Sequence, residues 1–319
     1  MTDSPSAAAA STAAAAASAR ATALGFIAVL LWAVLALLTV LSGAVPPFQL
    51  TAICLGVGAL VGLGWGAATG GSLRAAAAQP WPVWLLGIGG IFGYHFFYFT
   101  ALRNAPAAEA GLIAYMWPLL IVLFSSLLPG ERLRAGHVIG AVVALSGAAL
   151  ILTRGASLSF APEHAFGFAA AGVCSLTWSG YSVLSRRVGQ APTETVTLFC
   201  AAGAALSALC HLGLEETAWP RDAGEWAATI GLGAGPLGLA FYVWDVGVKR
   251  GDIQLLGVAS YAAPLLSTLA LAAAGLTALT GRLALAALLI AAGAGLAARA
   301  SRRKARAASP ADAGATGRP

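Results

Sequence analysis

The chain is short of charge. Asp, Glu, Lys and Arg make up 9% of its 319 residues, against roughly 25% in an ordinary soluble domain. Too little polar surface is available to cover a globule in water. The surplus of basic over acidic residues, 18 to 12, would suit nucleic acid. The Lys and Arg lie between apolar runs and in the C-terminal tail, however, and form no patch interleaved with aromatics, so nucleic acid is not an expected partner. Cysteine is scarce as well. Cys54, Cys174, Cys200 and Cys210 all fall inside apolar runs, with no CxxC and no ligand spacing. They are expected to be small buried residues, with neither a metal site nor a disulfide. HExxH, GxSxG and an intramembrane Ser/Lys pair are also missing, so neither an enzyme nor a cofactor is expected. No loop is long enough to hold a soluble domain.

What is present is apolar sequence, 59% of the residues, together with 39 glycines. Glycine suits closely packed membrane helices. A spanning helix needs about 20 predominantly apolar residues. Ten stretches qualify: 21–42, 49–69, 82–102, 106–128, 136–153, 165–186, 193–213, 226–247, 252–275 and 282–299. Residues 1–20, rich in Ala and Ser, read as disordered, and so does the tail 301–319, basic and then rich in Ala, Gly and Pro. The run from Ala21 to Leu41 exceeds the ~7–15 residues of a signal-peptide core and reads as a retained first helix.

Lys and Arg fix the expected orientation. With the N-terminus in the cytoplasm, the inner segments hold Arg20, Arg74, Arg132, Arg134, Arg186, Arg187, Lys249, Arg250 and the basic tail. The outer segments hold Arg103, Arg154, Arg221 and Arg282, with the acids Glu163, Glu215, Glu216, Asp222 and Glu225. Both termini are therefore expected in the cytoplasm, and the chain in a bacterial inner membrane.

An internal repeat organises these helices. Pro118 and Pro264 stand 146 residues apart, and the same offset pairs Trp32 with Trp178, Arg103 with Lys249, Gly111 with Gly257, Tyr115 with Tyr261 and Gly147 with Gly293. Residues 21–154 form the first repeat and 165–300 the second. Five helices per repeat is an odd number, so the halves cross the bilayer in opposite senses. Inverted repeats place a substrate site near the midplane and permit alternating access. The predicted fold is an all-α membrane protein of ten transmembrane helices, built from two inverted five-helix repeats around a central cavity.

The stretch Gly93 to Pro118 stands out for its rings. In a helix, Tyr94, His95 and Tyr98 point roughly one way, and an ionisable ring at membrane depth has little reason to face lipid. Phenols and an imidazole could hold a zwitterion while ring faces enclose an apolar side chain. The bland alternative is an interfacial belt with a histidine bonded to a backbone carbonyl. Tyr115 and Trp117 precede Pro118, which breaks a helical bond; Tyr261 and Pro264 would make the matching kink, and the two kinks could act as gates. Trp178 is a pocket candidate, and Trp244, the repeat partner of Tyr98, is another. Asp245 and Lys249 read as an i,i+4 pair near a helix end, and Glu109 as a carboxylate at a helix N-terminus.

The segments Ala107-Ala108-Glu109-Ala110, Tyr115-Met116-Trp117-Pro118-Leu119, Gly130-Glu131-Arg132, Lys249-Arg250-Gly251-Asp252 and Ser260-Tyr261-Ala262-Ala263-Pro264 resemble the drug/metabolite transporter superfamily. The nearer match is to its ten-helix EamA-type members, and among them to aromatic amino-acid exporters. The resemblance covers residues 21–300. It implies a basket of ten helices that exports amino acids, aromatic or large neutral, and related metabolites. It puts Tyr94, His95, Tyr98, Tyr115, Trp117 and Trp178 on the cavity. In the second repeat Ala262 and Ala263 replace Met116 and Trp117, so the pocket is expected to be asymmetric. The expected partners are an amino acid and the lipid bilayer. A monomer is the working expectation, with the oligomeric state left open. A drug/metabolite transporter of another specificity stays as the alternative, with an open channel behind it.

Overall fold

The computed structural model describes residues 5–154 and 158–307. Among them no strand forms and the elements are all helical. Nine helices are long and apolar enough to cross a membrane: α1 (Thr12–Leu41), α2 (Pro47–Thr69), α3 (Trp81–Asn104), α4 (Ala107–Leu127), α5 (Ala135–Leu152), α7 (Thr195–Leu214), α8 (Ala223–Arg250), α9 (Ile253–Ala273) and α10 (Gly281–Arg302). Between α5 and α7 lies α6 (Ala165–Arg187), with 23 residues. It is long enough to cross but less apolar, because it carries Ser175, Ser179, Ser182 and Ser185, all buried. Its serines face protein rather than lipid, which places α6 in the centre of the bundle.

Two expectations fail at the chain ends. Residues 5–20, expected to be disordered, continue the first helix, which runs from Pro5 to Trp32. Alanine loses no side-chain entropy in a helix and has the highest helix propensity, so an Ala-rich stretch next to a spanning helix extends it. At the other end the last helix runs on to Ala307; the rest of the expected tail, like residues 1–4, lies outside the described residues.

The inverted repeat is visible in the packing. α1 packs on α8, and its repeat counterpart α6 packs on α3; α2 packs on α7, and α5 on α10. At the α5–α10 crossing, a Cβ on Gly147 would sit 2.8 Å from the carbonyl of Ala286, and one on Gly140 would sit 2.6 Å from that of Gly293. Adding 146 to the first member of one pair and subtracting it from the second gives the other pair with its partners exchanged, as a twofold axis requires. The backbone repeats the pattern. A π-helical turn widens α3 at Gly89–Gly93 and α8 at Gly235–Leu239, again 146 residues apart. Pro236 removes one amide from the second turn, and a Cβ on Gly90 in the first would collide with the Tyr181 ring.

Both predicted kinks form. α4 is interrupted at Tyr115–Met116, so Pro118 sits in the first turn of the next helical piece. α9 is interrupted at Ser260–Tyr261, with Pro264 in the equivalent place. A proline in a first turn costs no hydrogen bond, because that amide has no helical partner anyway.

The ends of the bundle differ. One end gathers the start of α1, the ends of α6 and α8 and the start of α10's tail. There the Asp252 amide donates to Thr22 Oγ1 (2.8 Å), Arg186 donates to the Gly251 carbonyl (2.9 Å), and His137 meets Ser301 (3.2 Å). The other end gathers Phe48, Arg103 and Glu215. The basic segments around Arg132, Arg186 and Lys249 thus share an end.

Candidate functional site

Four tryptophans from four helices meet at the centre: Trp32 of α1, Trp117 of α4, Trp178 of α6 and Trp244 of α8. Trp32 lies 6.0, 5.9 and 5.1 Å from the other three ring centroids, and Trp117, Trp178 and Trp244 lie 6.0 to 6.4 Å from one another. The face of α3 continues this floor. Tyr94 lies 5.5 Å from Trp178 and stacks on Tyr98 at 6.0 Å with planes 6° apart. His95 stands edge-on to Tyr94 at 5.4 Å. Tyr115 joins from the α4 kink, 6.0 Å from Trp117 and 6.2 Å from Tyr261.

Hydrogen bonding divides these rings into two classes. Trp32 Nε1 donates to the Pro236 carbonyl of the π-turn (3.1 Å), and Trp244 Nε1 donates to Ser182 Oγ (3.1 Å). The Tyr261 hydroxyl accepts from the Leu119 amide (3.1 Å), and Tyr242 donates to the Gly58 carbonyl (3.0 Å). Trp244, Tyr242 and Tyr261 are fully buried. By contrast, Tyr94, His95, Tyr98 and Tyr115 are only half-buried. Among the described residues, no partner stands against their hydroxyls, against the Trp117 and Trp178 indole N–H groups, or against His95 Nε2. A buried polar group is normally paired; Trp117 and Trp178 are themselves buried beneath the tyrosines, so the groups free beside accessible surface are the three hydroxyls and His95 Nε2.

His95 is partly what the bland reading expected. Its Nδ1 lies 2.7 Å from the Ile91 carbonyl. A carbonyl can only accept, so Nδ1 carries the proton and Nε2 of the neutral ring is left as an acceptor. The ring also lies 6.4 Å from Phe241.

Of the sequence candidates, Tyr94, His95, Tyr98, Tyr115, Trp117 and Trp178 come together on one face. Trp244 does not present its edge there. It backs Trp178 at 6.4 Å with near-parallel planes, its N–H already taken by Ser182. Tyr261 caps the broken α4 helix, and Pro118 and Pro264 lie at the breaks. The sequence reading passed over Phe241, 5.7 Å from Trp178, and gave Trp32 no pocket role. The repeat register held the signal for Phe241, which is His95 shifted by 146.

Access to this face is one-sided. α6 packs along the second half of α8, but the equivalent pair, α1 and the second half of α3, is at most in marginal contact. Register partners record the difference. Leu35 is 36% exposed and its equivalent Tyr181 is 3% exposed. Thr39 is exposed and Ser185 buried; Phe99 is half-buried and Asp245 buried. The Arg103 side chain is 41% exposed and that of Lys249 5%. The packing is therefore looser at the Arg103 end, and the Lys249 end is shut.

At the open end, Glu215 accepts from the Phe48 and Gln49 amides (3.0 and 3.1 Å), from Arg103 (2.6 Å) and from His211 (3.1 Å). This carboxylate holds the N-terminus of α2, where its charge also suits the helix dipole. At the shut end, Asp245 and Lys249 form the i,i+4 pair expected near a helix end. They are buried at 2.9 Å, with Thr193 donating to Asp245 (2.8 Å) and Lys249 donating to the Ala191 carbonyl (2.9 Å). Glu109, in the first turn of α4 as expected, accepts from the Ser159 amide at 2.9 Å.

Residues 19–153 match the model of the EamA-like transporter family. The chain is 57% identical over 284 residues to a protein of Ancylobacter novellus named aromatic amino acid exporter YddG, covering 89% of this chain and 98% of that one. An Escherichia coli protein of the same name is 27% identical over 186 residues, 56% of this chain and 62% of that one. A solved crystal structure with 56% identity superposes with a TM-score of 0.85, covering 89% of this chain and 98% of that one.

Proposed function

We propose that this chain, which belongs to the EamA-like transporter family, exports amino acids with aromatic or large neutral side chains, and related metabolites, by alternating access at the aromatic cleft. The observation that carries this is the division of rings into satisfied and free. The floor of Trp178 and Trp117 and the wall of Tyr94 and Tyr98 offer flat apolar faces. An aromatic pair in offset or edge geometry contributes about 0.5–1.5 kcal/mol beyond its buried area. Around the faces stand hydroxyls and the His95 acceptor. The ammonium of an amino acid needs acceptors and its carboxylate needs donors, and both sets are within the same cleft. Phosphate-bearing substrates would call for Arg or Lys at the floor, and the free groups there are rings.

The gathering of Arg132, Arg186 and Lys249 at the shut end supports assigning that end to the cytoplasm. With both termini inside and the inner membrane as location, the structure is the outward-open state. The α4 and α9 breaks at Pro118 and Pro264 are the flexible joints about which the halves rock. Purified protein in proteoliposomes is expected to take up phenylalanine saturably and to exchange it in counterflow. Linear uptake across a full amino-acid panel would defeat this reading, and saturable uptake of other small organic molecules alone would favour a transporter of different specificity.

A further inference from the structure

We propose that Asp245 and Lys249 form a second amino-acid site at the shut end, where the substrate's own ammonium and carboxylate separate the ion pair during entry. This rests on the amino-acid reading above.

The pair is peculiar to one repeat. Lys249 corresponds to Arg103, but Asp245 corresponds to Phe99. The framework shared by the two halves therefore does not require a carboxylate here. A buried ion pair is poor support for a fold, because desolvation offsets the attraction and apolar residues of similar shape often do as well. Its bonds are directed at one segment. Thr193 and the Ala191 carbonyl, both in the connection between α6 and α7, are held by Asp245 and Lys249 respectively. Pulling the pair apart frees that connection.

The pair also lies on the line from the aromatic floor to the shut end. Together with Tyr181, Ser185 and Thr195 it borders a cavity of about 10 Å³, barely room for a water molecule. Tyr181 and Ser185 follow Trp178 along α6, and Asp245 and Lys249 follow Trp244 along α8. The positions equivalent to Tyr181, Ser185 and Lys249 are Leu35, Thr39 and Arg103, which are exposed at the open end. By the symmetry of the halves, this cavity is what becomes the inner mouth when the outer one closes.

Opening it exposes the cost of separating buried charges, which is severe when either is left alone. A zwitterion removes that cost. Its ammonium supplies the N–H donors that Asp245 loses with Lys249, and its carboxylate accepts from Lys249 Nζ in place of Asp245. A ligand with only one of the two charges leaves one buried partner unmatched.

The test is phenylalanine uptake into proteoliposomes sorted by orientation, with KM measured from each face. The paired variant Asp245→Asn with Lys249→Met removes both charges while keeping shape. It should raise KM roughly tenfold or more at the Lys249 face and leave the Arg103 face within about twofold, since only ground-state binding on one side is lost. Wild-type protein should favour phenylalanine over 2-phenylethylamine and over 3-phenylpropionate at the Lys249 face. Unchanged KM at that face, or equal rises at both, overturns the proposal and leaves the pair structural. If the neutral variant does not run as a folded species, the exchange Asp245→Lys with Lys249→Asp retains both charges. It should recover most of the Lys249-face affinity, and a folded exchange variant that recovers none also overturns the proposal. Failure of the amino-acid reading is distinguishable, because wild-type protein would then show no saturable phenylalanine uptake from either face.

Discussion

The two repeats share a backbone and use their rings differently. In the first, the Tyr94, Tyr98 and Tyr115 hydroxyls and His95 Nε2 stay free on half-buried rings. In the second, the register partners of Tyr98 and Tyr115 are Trp244 and Tyr261, fully buried with their polar atoms bound to protein. Tyr242, one helix position from Phe241, is sealed against Gly58 in the same way. At these register pairs the first half offers its rings and the second makes the wall behind them; Trp32 and Trp178 run the other way, the first-repeat indole bonded to the Pro236 carbonyl and the second-repeat one free. Duplication in opposite senses fixes where helices break and cross; it leaves each half free to use the resulting positions for a surface or for a support.

Trp178 is where the comparison should break most visibly, since it touches Trp32, Trp117, Trp244, Tyr94, Tyr181 and Phe241. Replacing a buried Trp by Ala costs about 3–5 kcal/mol of stability. Trp178→Ala should lower phenylalanine transport at least tenfold, worth about 1.4 kcal/mol or more. Trp178→Phe separates ring from N–H, keeping the fold and most of the stacking while losing the donor. It should reduce transport only several-fold in counterflow. Normal transport by both variants, with protein eluting as a folded species, would move the site away from this floor.

The helix crossings give the next contrast. α1 and α8 meet through Gly25 and Gly247, and a Cβ on Gly247 would sit 2.6 Å from the Gly25 Cα. The register partners on α6 and α3 are Ala171 and Ala101, which share one buried cluster. The tighter crossing is near the shut end. Gly247→Ala should cost about 1–3 kcal/mol of packing, against a gain of up to about 1 kcal/mol in helix propensity. It should also hold that end apart, seen as faster alkylation of a cysteine introduced at Thr22. Ala101→Gly should lose about 1 kcal/mol without changing access. Equal responses from the two crossings would mean that neither is specialised.

Much of this was legible in the sequence because a repeat register is a strong constraint. The offset between Pro118 and Pro264 anticipates both helix breaks; the Gly140–Gly293 and Gly147–Ala286 crossing obeys it as well, but which helices cross is visible only in the structure. The π-turns obey the same offset, but Gly-rich sequence looks alike whether a turn is α or π, so only coordinates locate them. The aromatic face of α3 was readable because i, i+1 and i+4 share a face in any helix. The orientation of Trp244 was not. Register says which residue occupies a position, and the rotation of α8 and the Ser182 hydroxyl decide which way its ring edge points. Asp245 and Lys249 were read as a pair but not as a buried one, because the loop that covers them belongs to α6 and α7. Residues 5–20 look disordered by their low complexity, but the helix propensity of alanine extends the first helix through them.

Tyr261 and Tyr115 sharpen the comparison through stability alone. The Tyr261 hydroxyl satisfies the Leu119 amide, freed by the α4 break. Tyr261→Phe leaves that amide buried and unpaired, a loss of about 1–3 kcal/mol. Tyr115→Phe removes a hydroxyl that binds no described residue and should leave stability within about 0.5 kcal/mol. Thermal unfolding in detergent measures both. If Tyr115→Phe proves the costlier change, the assignment of support to Tyr261 and surface to Tyr115 is reversed.

The smallest effect concerns single hydroxyls in the two halves, Tyr98 and Tyr242. Tyr242→Phe gives up a bond to the Gly58 carbonyl, net about 0.5–1.5 kcal/mol of stability, and should leave the phenylalanine KM unchanged because that ring lies behind the site. Tyr98→Phe gives up no protein bond, so its melting temperature should hold. Its KM should rise by a few-fold, the worth of one ligand hydrogen bond at about 1 kcal/mol. The paired measurement matters more than either value. A hydroxyl that serves the ligand moves affinity and leaves stability alone, and a hydroxyl that serves the frame does the reverse. Were both variants to move both quantities, the line drawn here between free and satisfied rings would have no functional meaning.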